Sequence, residues 1–166
     1  MKNVYLVLIT VCILAAAVMP VQAFTAKSLT ISLAPDGDAR VDMQYELSFI
    51  EQTAVFFKLA DPAAELKKAF DTHSTEPVTV PQVTSSSAVV LIPGFATVSE
   101  ANHQTLMVTP TVSFEKAQQV MNGYWFAPLV SPDFSPDRTT VIFPDGYQEN
   151  FSDVLAVPSL SHVLSR

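Results

Sequence analysis

Between Lys27 and Ile50 the chain alternates with a two-residue period, and no other stretch restricts the fold as strongly. Leu29, Ile31 and Leu33 are interleaved with Ser28, Thr30 and Ser32. After Ala34-Pro35-Asp36-Gly37-Asp38 the alternation resumes, with Val41, Met43, Tyr45, Leu47 and Phe49 set against Arg40, Asp42, Gln44, Glu46 and Ser48. Successive side chains of a strand point to opposite faces, so each run presents one apolar and one wet face. Pro35 presets φ, and Gly37 accepts the positive φ that closes a hairpin. The pattern predicts an antiparallel hairpin over 27–50.

The segment ahead of it is different in kind. Lys2 supplies a short basic region, Val4 to Met19 is almost unbroken apolar sequence, and Val21 and Ala23 occupy the small-residue positions a signal peptidase reads. Residues 1–23 are expected to be a signal peptide cleaved after Ala23, leaving a single exported β-rich domain over 24–166. The alternative is an uncleaved anchor, since residues 4–23 are about long enough to span a hydrocarbon core. The one cysteine, Cys12, lies in this segment, so the remainder has neither a disulfide framework nor a thiolate metal site. With 9 basic against 16 acidic residues the chain carries a net charge of −7. Such a surface repels phosphate backbones, which argues against nucleic acid as a partner. Contact with a membrane is expected only through residues 4–23, if they are retained.

Further along, Thr53 to Leu59 predicts a third strand, or the continuation of the second after a bend at Glu51-Gln52. Asp61-Pro62 can cap and open a short helix from Pro62 to about Phe70, with Leu66, Ala69 and Phe70 on one face. Residues 71–87, rich in Thr, Ser and Pro, predict an edge strand or extended loop around Val78, Val80 and Val83. Ala88 to Ile92 is the most apolar strand. Pro93-Gly94 then turns the chain, and Phe95 to Val98 is expected to return beside that strand. Thr105 to Val108 predicts another strand, ended by Pro110. Ser113 can cap a second helix whose apolar positions run from Phe114 to Tyr124, with Asn122-Gly123 as the stop. Residues 128–138 are expected to be loop. Thr139–Phe143 and Tyr147–Phe151 flank Pro144-Asp145-Gly146, a second hairpin with the turn chemistry of the first. A last edge strand is expected around Val154 to Val157, with a frayed tail as the alternative. The fold class that follows is mainly β and β-sandwich-like, or α+β: an antiparallel sheet with two short helices inserted.

Chemistry-bearing residues form few patterns. Asp36, Asp38 and Asp42 invite a calcium reading, but the loop lacks the ligand number calcium needs, and turn chemistry is the better account. His73, His103 and His162 are far apart in sequence and do not show the short helical spacing of zinc hydrolases. No Gly-x-Ser-x-Gly elbow occurs. No catalytic residue, metal ligand or cofactor motif is assigned. Tyr124, Trp125 and Phe126 form the densest aromatic cluster and are the candidates for ligand binding, by stacking on sugar rings; the competing reading buries Trp125 in the core. Asn150-Phe151-Ser152 is a glycosylation acceptor pattern.

The run from Thr140 through Phe143-Pro144-Asp145-Gly146-Tyr147 to Pro158-Ser159-Leu160-Ser161-His162 resembles a closing pattern in uncharacterised exported proteins of methanogenic archaea. Leu33 to Ala39 is similar to openings of archaeal surface domains. The resemblance implies a cell-surface or extracellular setting and carries over no catalytic residue. Taken together, these features lead us to expect a non-enzymatic exported domain with a binding or structural role at the cell envelope, its partner an envelope protein or a glycan. The alternatives are an extracytoplasmic hydrolase using loop acids or histidines, and the ectodomain of a membrane-anchored sensor.

Overall fold

Gly37 takes φ 95°, its N–H donates to the Ala34 carbonyl at 3.0 Å, and the Ala34 N–H donates to the Asp38 carbonyl at 2.8 Å. The hairpin predicted from alternation thus closes where Pro-Asp-Gly stands. The computed structural model describes residues 21–47, 76–101, 103–115 and 130–165, with positions 67, 118 and 119. The hairpin strands are β1 (Val21–Leu33) and β2 (Ala39–Glu46), paired antiparallel from Leu33↔Ala39 to Thr25↔Glu46. β1 begins ahead of Ala23, so cleavage there would leave the strand from Phe24 onward.

The apolar set of this hairpin faces the interior. Leu29, Ile31 and Val41 are essentially inaccessible, Leu33 and Tyr45 are buried, and Met43 packs against the same cluster. Each such aliphatic side chain contributes roughly 1.5–3 kcal/mol on burial. Leu47 is half-buried, and Phe49 lies outside the described residues.

Around this pair a larger sheet assembles. It uses β3 (Thr79–Val83), β4 (Ser87–Ile92), β8 (Val130–Asp133), β9 (Arg138–Ile142) and β10 (Gln148–Phe151), in the order β10-β9-β1-β2-β4-β3, with β8 also on β1. β3 is an edge strand, as the prolines predict, and its register slips between Thr79 and Gln82, around Pro81. β9 and β10 form the second predicted hairpin, with Gly146 at φ 86° and its N–H on the Phe143 carbonyl.

Three expectations need correction. The sheet is mixed, not purely antiparallel, because β8 and β9 both run parallel to β1 along its free side. Residues 128–138 are not all loop: β8 forms within them, and the Asp137 N–H donates to the Ala26 carbonyl at 3.3 Å between the two parallel pairings. The chain after Pro93-Gly94 does not return beside β4. Instead β5 (Thr97–Ala101) pairs with β6 (Gln104–Val108), and β12 (Ser161–Leu164) completes a separate three-stranded sheet in the order β12-β6-β5. The cause lies at the first turn: Ala96 N–H donates to the Gly37 carbonyl, and Gly94 N–H donates to Asp38 Oδ1, both at 2.8 Å. These bonds carry the chain out of the large sheet and bury Phe95 and Ala96 in the core.

The last pair is β7 (Val112–Ser113) with β11 (Ala156–Val157), so the predicted tail strand forms and does not fray. One apolar cluster joins all three sheets, drawing Val90, Ile92 and Val141 from the large sheet, Met107 from β6, and Phe114 and Val157 from around the small pair. The molecule is mainly β. Of the first predicted helix only Lys67 is described; of the second, Ser113 ends β7 and its Oγ accepts from Glu115 N–H at 3.3 Å, Gln118 N–H donates to the Phe114 carbonyl, and beyond Gln119 it lies outside the described residues. The predicted strand Thr53–Leu59 lies outside them as well.

Candidate functional site

Two places gather polar chemistry. The first centres on Asp145, in the turn between β9 and β10. Its Oδ2 accepts from His162 Nε2 at 2.8 Å, and from Ser165 N–H and Ser165 Oγ at 2.9 Å each; its Oδ1 accepts from Tyr147 N–H at 3.2 Å. The Asp145 side chain is only 7% exposed. These donors, Ser165 N–H foremost and His162 next, hold the carboxyl well below the usual carboxylate range despite burial, which opposes ionisation. Because the carboxylate is ionised, Nε2 of His162 carries the hydrogen.

The β9–β10 turn and β12 bring three rings together. His162 stacks on Tyr147 with centroids 4.2 Å apart and planes 10° from parallel, and the Phe143 ring stands tilted against both, 4.9 Å from His162 and 5.8 Å from Tyr147. The Tyr147 hydroxyl bonds Glu149 Oε1, which raises the tyrosine's pKa. In a serine hydrolase the hydroxyl is offered to the imidazole and the carboxylate orients that imidazole. Here Ser165 gives its hydroxyl to the carboxylate, and both side chains converge on one oxygen. The arrangement ties the end of β12 to the β9–β10 turn, joining the three-stranded sheet to the large one.

The other imidazole described, His103, sits at φ 62° in the turn between β5 and β6, exposed. His162 pairs with Met107, four residues along β6 from His103, which separates the rings' strand positions by roughly 13 Å at the usual rise. That is far beyond a shared metal ion. His73 and the aromatic candidates Tyr124, Trp125 and Phe126 lie outside the described residues. The three early aspartates work locally: Asp36 Oδ1 accepts from Asp38 N–H, Asp38 binds Gly94, and Asp42 takes both forks of Arg40 at 2.8 and 2.9 Å.

The second place is the outward face of the large sheet. Pairing registers align its side chains in rows across the strands. One row runs Asn150, Thr140, Thr30, Asp42, Val89 and Gln82; the next runs Gln148, Ile142, Ser32, Arg40, Leu91 and Thr79. A third adds Arg138, Ser28, Gln44 and Ser87. Arg40 and Asp42 are 54% and 41% exposed, so the face meets solvent at its middle. Hydroxyls, amides and one forked ion pair therefore stand about 4.8 Å apart from β10 to β2, interrupted by Ile142, while on β4 the rows turn apolar, with Val89 buried and Leu91 exposed. Thr140 Oγ1 donates to Asn150 Oδ1 at 2.9 Å.

Alternation alone foretold the wet side of β1 and β2. The parallel addition of β9, which extends that side toward Asn150, had no local signal. Asp145 was legible only as a turn residue, and nothing in the spacing from Asp145 to His162 and Ser165 announced their meeting. No family model matches the chain, and no curated protein or solved structure is significantly similar to it.

Proposed function

We propose that this is an exported, non-enzymatic, β-sandwich-like domain that binds a glycan of the cell envelope across the outward face of its large sheet. The observation that carries the reading is the polar part of these in-register rows, with Thr30, Thr140, Gln44 and the Arg40–Asp42 fork at its centre. Sugar hydroxyls are both donors and acceptors, and this face offers both at regular spacing. The saturated Asp145 carboxylate supports the non-enzymatic part, since its lone pairs are engaged in holding β12. The apolar leader and the resemblance to methanogen surface proteins support an extracytoplasmic setting.

The test uses the exported chain and isolated envelope polysaccharide from the source cells. A Thr30→Val/Asp42→Ala double variant should weaken binding at least about tenfold, the equivalent of 1.4 kcal/mol or more, with its unfolding transition little changed. His162→Gln should still bind. Undiminished binding by the double variant would overturn the reading. Time-dependent release of soluble sugar that His162→Gln abolishes would establish the hydrolase instead.

A further inference from the structure

We infer that Asn150 is an N-glycosylation acceptor, with the attached sugar rooted at the outer margin of the polar face; this rests on the chain being exported. Asn150-Phe151-Ser152 is the acceptor tripeptide, and the fold presents it in usable form. Asn150 is exposed on β10, an edge strand of the large sheet. Ser152, two residues on, is exposed in the bend that follows, while Phe151 between them turns inward and packs on the core. The two polar groups therefore lie on the solvent side of the strand, and the anchoring residue lies on the other.

The amide is also oriented. Thr140 Oγ1 holds Asn150 Oδ1 at 2.9 Å, which leaves Nδ2 as the branch directed away from Thr140. In the reaction Nδ2 bonds to the anomeric carbon of a lipid-linked phosphosugar. The bond from that carbon to the phosphate oxygen breaks, its electron pair leaves with the lipid phosphate, and one Nδ2 proton passes to a base of the membrane transferase. Asn150 opens the first of the rows, two strands and roughly 10 Å from Thr30 on β1, so the sugar stands at the outer end of that row, beside Thr140. Among the described residues β10 is the last strand on that side of the sheet, and the sugar's bulk there hinders pairing with another chain.

The experiment expresses the full chain in a eukaryotic secretory host, once behind its own leader and once behind a secretion leader known to work there. Intact mass and peptide mapping should place a glycan on Asn150 in most of the secreted chain. Asn150→Gln and Ser152→Ala should each abolish it, and Ser152→Thr should retain it. Secreted chain that is unmodified behind the known leader overturns the inference. Failure of the chain's own leader, with Asn150 modified behind the other, overturns the export reading and leaves the acceptor site standing.

Discussion

Gly37 and Gly146 occupy equivalent turns with similar φ, yet their surroundings differ, and that difference separates two costs. A Cβ on Gly37 would collide with the Ala96 carbonyl oxygen, whose own N–H is bonded back to Gly37; a Cβ on Gly146 meets nothing within 4 Å. Gly146→Ala should therefore cost only the left-handed backbone term, about 1–2 kcal/mol. Gly37→Val adds overpacking against a backbone atom that cannot swing away, for a total of about 3–5 kcal/mol. His103→Ala, at an exposed turn, should stay within about 0.5 kcal/mol. Urea unfolding of the three variants checks the ranking, and equal losses at Gly37 and His103 would contradict it. Thr139 supplies an opposite case. Its hydroxyl is buried on β9 with no hydrogen-bond partner among the described residues, so Thr139→Val keeps the branched shape, removes an unmet donor and should raise stability by about 1 kcal/mol in the same assay.

At the scale of elements, the tie from Asp145 to β12 makes a pH-dependent prediction. The folded state depresses the Asp145 pKa, so the stabilisation is fully present above the unfolded value near 3.9 and is lost as pH falls below it. Thermal unfolding of the parent chain should weaken between about pH 4 and pH 2, and Asp145→Asn should be less stable at neutral pH and lose less across that window. Amide exchange should quicken in Asp145→Asn first at Leu106 and Met107, which pair with β12, while Ile31 and Val41 in the β1–β2 hairpin stay protected. Uniform quickening would mean that Asp145 holds more than one edge. Elements also show where the sequence was readable. Hairpins join neighbours in sequence, and both Pro-Asp-Gly turns declared theirs through φ chemistry and alternation. The β1–β9 pairing joins Ser28 to Arg138 across most of the chain, and strands in a parallel pair carry no turn to announce them. The departure of β5 from β4 was likewise hidden, because it depends on Asp38 and Gly37 binding residues some sixty positions away.

For the whole molecule, the decisive feature is that the apolar sides of separate sheets meet in one cluster. Met107 belongs to the three-stranded sheet and is fully buried, as is Val90 in the large sheet; Phe143, at the end of β9, is nearly so and also touches the His162 ring. If each sheet were stable alone, truncating Met107 would melt its own sheet and leave the other. A shared core instead distributes the cavity cost to every strand that lines it. Met107→Ala should therefore lower stability by about 2–5 kcal/mol, and Val90→Ala by a similar or somewhat smaller amount. Both should shift one common transition, seen alike by far-ultraviolet circular dichroism and by tyrosine signals near Tyr45 and Tyr147. Two separated transitions in Met107→Ala would show that the sheets fold apart. Coincident transitions would mean that the polar rows on the outside and the interior beneath them unfold as one unit, so that a core truncation far from the face should weaken glycan binding only where it also unfolds the chain.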